Sequence, residues 1–189
     1  MALTAISLCN RALVKLGATV IGSFADGTAE AETAAALYEP TRDGLLAANP
    51  WNFATNQATL PRLIDKPVAD YDYSFQLPTD FLRALSVGGP SRGRGLEYRI
   101  SRQTIQASSE AVVLTYVFRP PEEEFPIFFA QSLVARLAAE FCLPLTENAS
   151  RAAFLNQLAD QEFRRARQID GQQDTRIGFE HFSLIEARN

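Results

Sequence analysis

The sequence predicts an α+β fold, a discontinuous four-helix unit with a small antiparallel β domain inserted between its second and third helices. Three observations carry that expectation. Apolar residues recur at helical spacing before residue 50 and again after residue 120, whereas from Trp51 to Pro120 the period shortens to two. Neither flanking helical pair has a full core of its own, so the two pairs are expected to cover each other's apolar faces. A short polar stretch followed by large apolar residues then closes the chain. The implied organisation is residues 1–50 and 121–171 for the helical unit, 51–120 for the insert and 172–189 for a C-terminal arm.

In the first helix, Ile6, Cys9, Leu13 and Leu16 form one face, Thr4 is placed to cap it and Gly17 to end it. Thr28 caps the second, whose first turn holds Glu30 and Glu32 near the exposed N–H groups. Ala34, Tyr38, Thr41, Leu45 and Ala48 continue its apolar face to the Asn49-Pro50 break. Pro40 lies inside that pattern and removes a backbone donor, which predicts a kink or two shorter helices in series. In the middle, Tyr71, Tyr73, Phe75 and Leu77 alternate with polar residues, and so do Leu96, Tyr98 and Ile100. Val112, Leu114, Tyr116 and Phe118 give one face of a third strand, whose other face is also apolar enough to be covered. The Gly88 to Gly95 run reads as a solvated hairpin loop. Beyond Pro121, Ile127, Ala130, Val134, Leu137 and Phe141 mark the most buried helix, expected to stop at Pro144. Thr146 is read as the cap of the last helix, with Leu155, Leu158, Ala159, Phe163, Ala166 and Ile169 inward. Asp160–Arg164 and Glu162–Arg165 would be its supporting ion pairs, and Gly171 its end.

The 189 residues carry 18 Lys+Arg against 22 Asp+Glu, a formal net charge of -4, with 47% hydrophobic and 21% charged residues. Such a chain can bury an ordinary core, and its negative total argues against a protein whose main work is neutralising nucleic-acid phosphates. The apolar N-terminal stretch is interrupted by Arg11 and Lys15, so neither a signal peptide nor a membrane span is expected there. Cys9 and Cys142 have no metal-ligand spacing and read as reduced buried thiols.

The residues offer little catalytic chemistry. His181 is the only histidine and sits in the expected arm, where a nucleophilic site would be poorly preorganised. No metal or cofactor is called for by any cluster of ligand-type residues. Glu122, Glu123 and Glu124 could supply a glycosidase with carboxylates, but a run of glutamates at a helix start is better explained by the helix dipole. The glycine-rich run lacks the order of a phosphate-binding loop. Arg83, Arg92, Arg94, Arg99 and Arg102 face only Glu97 in their window, a local excess of positive charge suited to an acidic partner. Arg164, Arg165 and Arg167 read as a solvated helix face, with a subunit or portal contact as the sharper alternative. Ile177, Phe179, Phe182, Leu184 and Ile185 form an apolar cluster that either grips a partner or folds back on the chain's own core.

Three stretches carry a family resemblance. The second helix runs through Tyr38-Glu39-Pro40-Thr41-Arg42 and Leu45-Leu46 into Pro50-Trp51-Asn52-Phe53-Ala54. Next comes Tyr71-Asp72-Tyr73-Ser74-Phe75-Gln76-Leu77-Pro78-Thr79-Asp80-Phe81-Leu82-Arg83. Paired helices after Pro121 end near Ala166 to Asp170. Together they span about residues 1 to 170 and resemble the head-to-tail connector, or adaptor, family of tailed bacteriophages, which includes tail tubular protein A. The resemblance implies a structural protein and not an enzyme: a dodecameric ring, made in the host bacterial cytoplasm and placed in the virion at the portal vertex between capsid and tail. Such a ring docks under the portal protein, continues the DNA channel without specific DNA binding, and receives a tail protein below. Trp51 and Phe53 would anchor the β insert on the helices, and Asp80 would cap a short turn holding Phe81 and Leu82 inward. The five apolar arm residues would contact the portal, and the five arginines would serve subunit or tail contacts. The alternatives are a tail-associated cell-wall hydrolase using Glu122 to Glu124 and a DNA-binding module using the arginines.

Overall fold

In the computed structural model, which describes residues 3–173, four α-helices and two three-stranded antiparallel sheets make a mixed α+β fold. The helices are α1 (Ala5–Leu16), α2 (Ala29–Ala48), α3 (Ile127–Thr146) and α4 (Ala149–Asp170). Between α2 and α3 come β1 (Thr55–Thr59), β2 (Tyr73–Gln76), β3 (Phe81–Gly88), β4 (Arg99–Ser101), β5 (Thr104–Ala107) and β6 (Val113–Phe118). One sheet has the order β1-β6-β3 and the other β2-β5-β4. The apolar arm residues Ile177, Phe179, Phe182, Leu184 and Ile185, with His181, lie outside the described residues.

Local chemistry sets the helix ends. At the start of α1, Ser7 N–H donates to Thr4 Oγ1 (3.1 Å) while Thr4 N–H donates to Ser7 Oγ (2.9 Å), so two orphan donors are satisfied reciprocally. Gly17 stops the helix at φ 72°, a left-handed conformation that costs a residue without Cβ little. Neither the division of the second helix into two at Pro40 nor the stop at Pro144 is found. Helix α2 runs unbroken through Pro40; Pro40 and Ala36, whose carbonyl loses its i+4 donor, are both exposed, so that carbonyl is open to solvent. Likewise α3 continues past Pro144 to Thr146. Thr146 therefore closes α3, its Oγ1 donating to Cys142 O (2.6 Å), and Asn148 caps α4 by accepting from Arg151 N–H (2.9 Å).

Helix α3 is the centre of the helical part and packs against α1, α2 and, most extensively, α4. It is long and apolar enough to cross a membrane, with a mean hydropathy of 1.4, but most of its surface is buried by its neighbours. The α3–α4 contact is narrower than the sequence pattern suggests. Ala152, Ala159 and Ala166 form the buried stripe of α4, and Ala159 meets Ala135 and Ala139 of α3. Small side chains bring the two axes close, so Leu155 and Phe163 are only half-buried and Leu158 is exposed. Neither helical ion pair forms among the described residues, since Asp160 pairs with Arg136 of α3 instead. Within α3, Ser132 is 0% exposed and its Oγ has no hydrogen-bond partner among the described residues. A buried unpaired hydroxyl is costly, so Ser132→Ala is expected to stabilise by about 1 kcal/mol. Thermal denaturation should register this as a rise of roughly 2–4 °C.

The insert departs furthest from expectation, with six strands in two sheets where three strands in one were expected. Leu96 and Tyr98 precede β4 and do not belong to it, while β1, β3 and β5 are additional. β6 serves both halves of the molecule. Leu114 and Tyr116 enter a core between the sheets with Phe75, Val87 and Ile105, whereas Val117 joins the helical core. Phe81 and Leu82 open β3 and pack on different cores, so Asp80 does not cap a turn that turns both inward; its Oδ1 accepts from Tyr116 OH (3.2 Å).

The Gly88 to Gly95 segment folds back on its own sheet, with Ser86 Oγ donating to Gly93 O (2.8 Å) and Leu96 N–H to Val87 O (3.0 Å). A Cβ built on Gly88 would lie 1.9 Å from Arg92 O and 2.1 Å from Arg94 N. Both obstacles are backbone, so Gly88→Ala is expected to cost at least about 2 kcal/mol by overpacking. Urea unfolding of the variant against the parent chain measures it.

Candidate functional site

The chain crosses between helices and sheets twice, and each crossing is fixed by its own set of side chains. On the outward crossing Trp51 is fully buried, and its Nε1–H donates to Leu45 O of α2 (3.0 Å). Its ring meets Phe129 of α3 at 5.2 Å and Phe163 of α4 at 5.7 Å, both edge-on, and Phe53 lies 5.0 Å from Phe129. Edge-to-face rings of this kind add directional preference to a large apolar contact. Next to them Asn52 N–H donates to both carboxylate oxygens of Asp170 (3.2 and 3.1 Å), and Asn52 Nδ2 donates to Asp170 O (2.8 Å). Asp170 is 3% exposed at the C-terminal end of α4, where the helix dipole disfavours a carboxylate. That misplaced charge was a usable signal in the sequence. Asn52, directly after the helix break, completes the pair.

On the return crossing the partners are ionic. Arg42 of α2, with a side chain 10% exposed, donates through Nε to Asp43 Oδ1 (2.9 Å) and through Nη1 to Glu122 Oε1 (3.1 Å). Arg119, one residue past β6, donates to both oxygens of Asp43, and Tyr38 OH donates to Glu122 Oε1 (3.0 Å). Burial alone would raise the Asp43 carboxyl, but hydrogen bonds from Arg119 and Arg42 outweigh it and hold Asp43 below the usual carboxylate range. Burial, reinforced by the Glu122 charge, raises the Tyr38 phenol, which stays protonated and able to donate. Sequence reasoning assigned no role to Arg42, Asp43 or Arg119. The usable signal was Arg42 one turn after Tyr38, on the buried side of α2.

The glutamate triplet requires a correction. Glu122–Glu124 form a 3-10 turn ahead of Pro126, the N-cap of α3, and the first turn of α3 itself carries no acid. The dipole therefore does not explain the triplet; Glu122 is held by Arg42 and Tyr38, while Glu123 and Glu124 face solvent.

The five arginines do not share one element. Arg83 is half-buried on β3, and Arg92 and Arg94 are exposed on the loop after it. Arg99 is on β4, paired with Asp70 Oδ2 (2.8 Å) and stacked 5.7 Å from the centre of the Tyr71 ring, and Arg102 occupies the β4–β5 turn at φ 55°. β3 and β4 are each the outer strand of their sheet, so the charge lies along two edges. Arg164, Arg165 and Arg167 are exposed on α4, where Arg167 Nε donates to Asn49 Oδ1 (3.1 Å). Among the described residues no group of three or more His, Cys, Asp or Glu is placed to hold a metal ion. Cys9 is buried in the helical core, and burial pushes its thiol up to about 12, so it is chemically quiet.

Comparison with protein-family models and with curated proteins gives no match to this chain.

Proposed function

We propose that the chain is a structural head-to-tail connector of a tailed phage, acting as a ring that docks under the portal, continues the DNA channel and receives a tail protein. The finer architecture in this reading is a four-helix bundle carrying the β insert as a projecting module. The observation that supports it is the double joint: Trp51 with the Asn52–Asp170 pair on one crossing, and the Arg42–Asp43–Glu122–Arg119 cluster on the other. A ring subunit must present two faces at a constant angle, since a small error repeated around the ring prevents closure. Two independent fasteners across one joint meet that requirement.

In this reading the ring is a dodecamer of the virion portal vertex. Ile177, Phe179, Phe182, Leu184 and Ile185 contact the portal, and the arginine-bearing sheet edges meet subunits or tail. A net charge of -4 suits a conduit, because adhesive cations on its wall would slow passing DNA. The cell-wall hydrolase reading is weakened by the engagement of Glu122 with Arg42 and Tyr38, which leaves only two solvated glutamates of the triplet, both in the same environment. Mixing the purified chain with the matching portal and imaging the product by negative-stain electron microscopy tests the proposal. A coaxial ring beneath the portal is expected; portal particles unchanged by a molar excess of the chain contradict it.

A further inference from the structure

Charge is segregated between the two sides of the helical part. A groove of about 460 Å³ lies between α1 and α4, floored by Gln131 and Val134 of α3, and walled by Arg11, Lys15, Glu162 and Arg165. On the α4 wall Arg151, Phe154, Leu158, Glu162 and Arg165 fall on one face at helical spacing; Glu162 is half-buried and the others are exposed, Phe154 by 59%. Arg151 Nη2 donates to Lys15 O (3.1 Å), which aligns this stripe with the end of α1, where Val14 is 65% exposed. α1 contains no acidic residue. The surface is thus basic with apolar patches, the composition of a contact face and not of a solvated one.

The opposite charge sits on α2. Glu32, Ala35 and Glu39 are exposed on one face of it, beside a small cleft that also takes in Phe24 and Glu122. Its one cation, Arg42, is already held by Asp43 and Glu122. The ridge cannot reach the groove within one molecule. α2 borders α3 at Arg136 and Glu140, and Glu140 is half a turn around α3 from Gln131 on the groove floor.

We infer that the occupant of the α1/α4 groove is a second copy of this chain, its α2 ridge of Glu32 and Glu39 seated against Lys15, Arg11 and Arg165. Two different faces meet, so the contact is head-to-tail and propagates to a ring or filament. The inference rests on the connector reading and names the surfaces by which its subunits adjoin. Exposed ion pairs are individually weak, so the charges set register and encounter rate while Val14, Phe154 and Leu158 supply the buried area.

The chain has two lysines, Lys15 and Lys66, which makes carbodiimide coupling of lysine to carboxylate a selective probe. At high concentration of the full chain and low salt, dimers and higher species on a denaturing gel are expected, with Lys15 joined to Glu32 or Glu39 of another copy. Lys15→Glu/Arg165→Glu and Glu32→Lys/Glu39→Lys should each reduce coupled dimer at least tenfold. An equal mixture of the two variants should restore it, because each reversed face then meets a reversed partner. Dimer yield unchanged by either double variant, coupling of Lys15 to other acids, or a mixture that stays monomeric overturns the inference. A coaxial ring on the portal without the Lys15 coupling removes this contact and keeps the connector reading; the coupling without a portal-bound ring does the reverse.

Discussion

Trp51→Ala is expected to be the most damaging single substitution at the joint, lowering unfolding free energy by about 4 kcal/mol, within the range for emptying a buried aromatic site. The side chain is fully buried against rings from α3 and α4, and its N–H is the partner of Leu45 O, so the variant loses packing and leaves a carbonyl unpaired. Trp51→Phe separates the two contributions. It keeps most of the apolar contact and forfeits the hydrogen bond, for an expected loss of about 1–2 kcal/mol. Guanidinium unfolding followed by circular dichroism gives both values. In the parent chain the same transition can be followed by the fluorescence of Trp51, the single tryptophan, which reports on the joint itself. A cost below about 1 kcal/mol for Trp51→Ala would mean the outward crossing does not hold the two halves together.

Arg42→Ala is the second. It strips Glu122 of its cation and takes one of two from Asp43, leaving both carboxylates three-quarters buried. Removing one member of a buried pair costs about 3–5 kcal/mol; partial exposure here and the remaining Arg119 reduce the expectation to about 2–3 kcal/mol. The same cluster sets an acid dependence. Asp43 is held below the ordinary aspartate value, so the folded state binds its proton less readily than the unfolded chain does. Its contribution is therefore complete above the unfolded carboxylate value and is lost as pH falls through the folded one, in the window below about pH 4. Asp43→Asn should remove that part of the acid limb. Stability measured from pH 7 down to pH 2 in both chains checks the sign.

The helices were legible because their signals are local. Thr4, Gly17 and Thr28 mark ends by chemistry confined to a few residues, and the apolar spacing of α1 and α3 follows directly from burial on one side. The strands were less so, for identifiable reasons. β1 reads Thr-Asn-Gln-Ala-Thr and has no large apolar residue to show alternation. β3 has its alternation broken by two register shifts and by cores on both faces. On α4 the expected inward residues Ala159 and Ala166 are buried and Leu155 and Phe163 pack on the core, but Leu158 is exposed because alanines make the close approach to α3. At the joint, Trp51 and Phe53 stand out as aromatics after a helix break. The ionic half was hidden because Arg42 and Glu122 are 80 residues apart and nothing local pairs them.

We propose that this chain is a scaffold whose faces are spent on neighbouring protein subunits at a phage portal vertex. A cryo-electron microscopy map of that vertex, from assembled particles encoding the chain, tests it most directly. The expected map contains this fold repeated about the channel axis, α3 within each subunit and the joint unchanged, between portal and tail. A map whose density between portal and tail is filled by other chains, with this one absent, contradicts the claim.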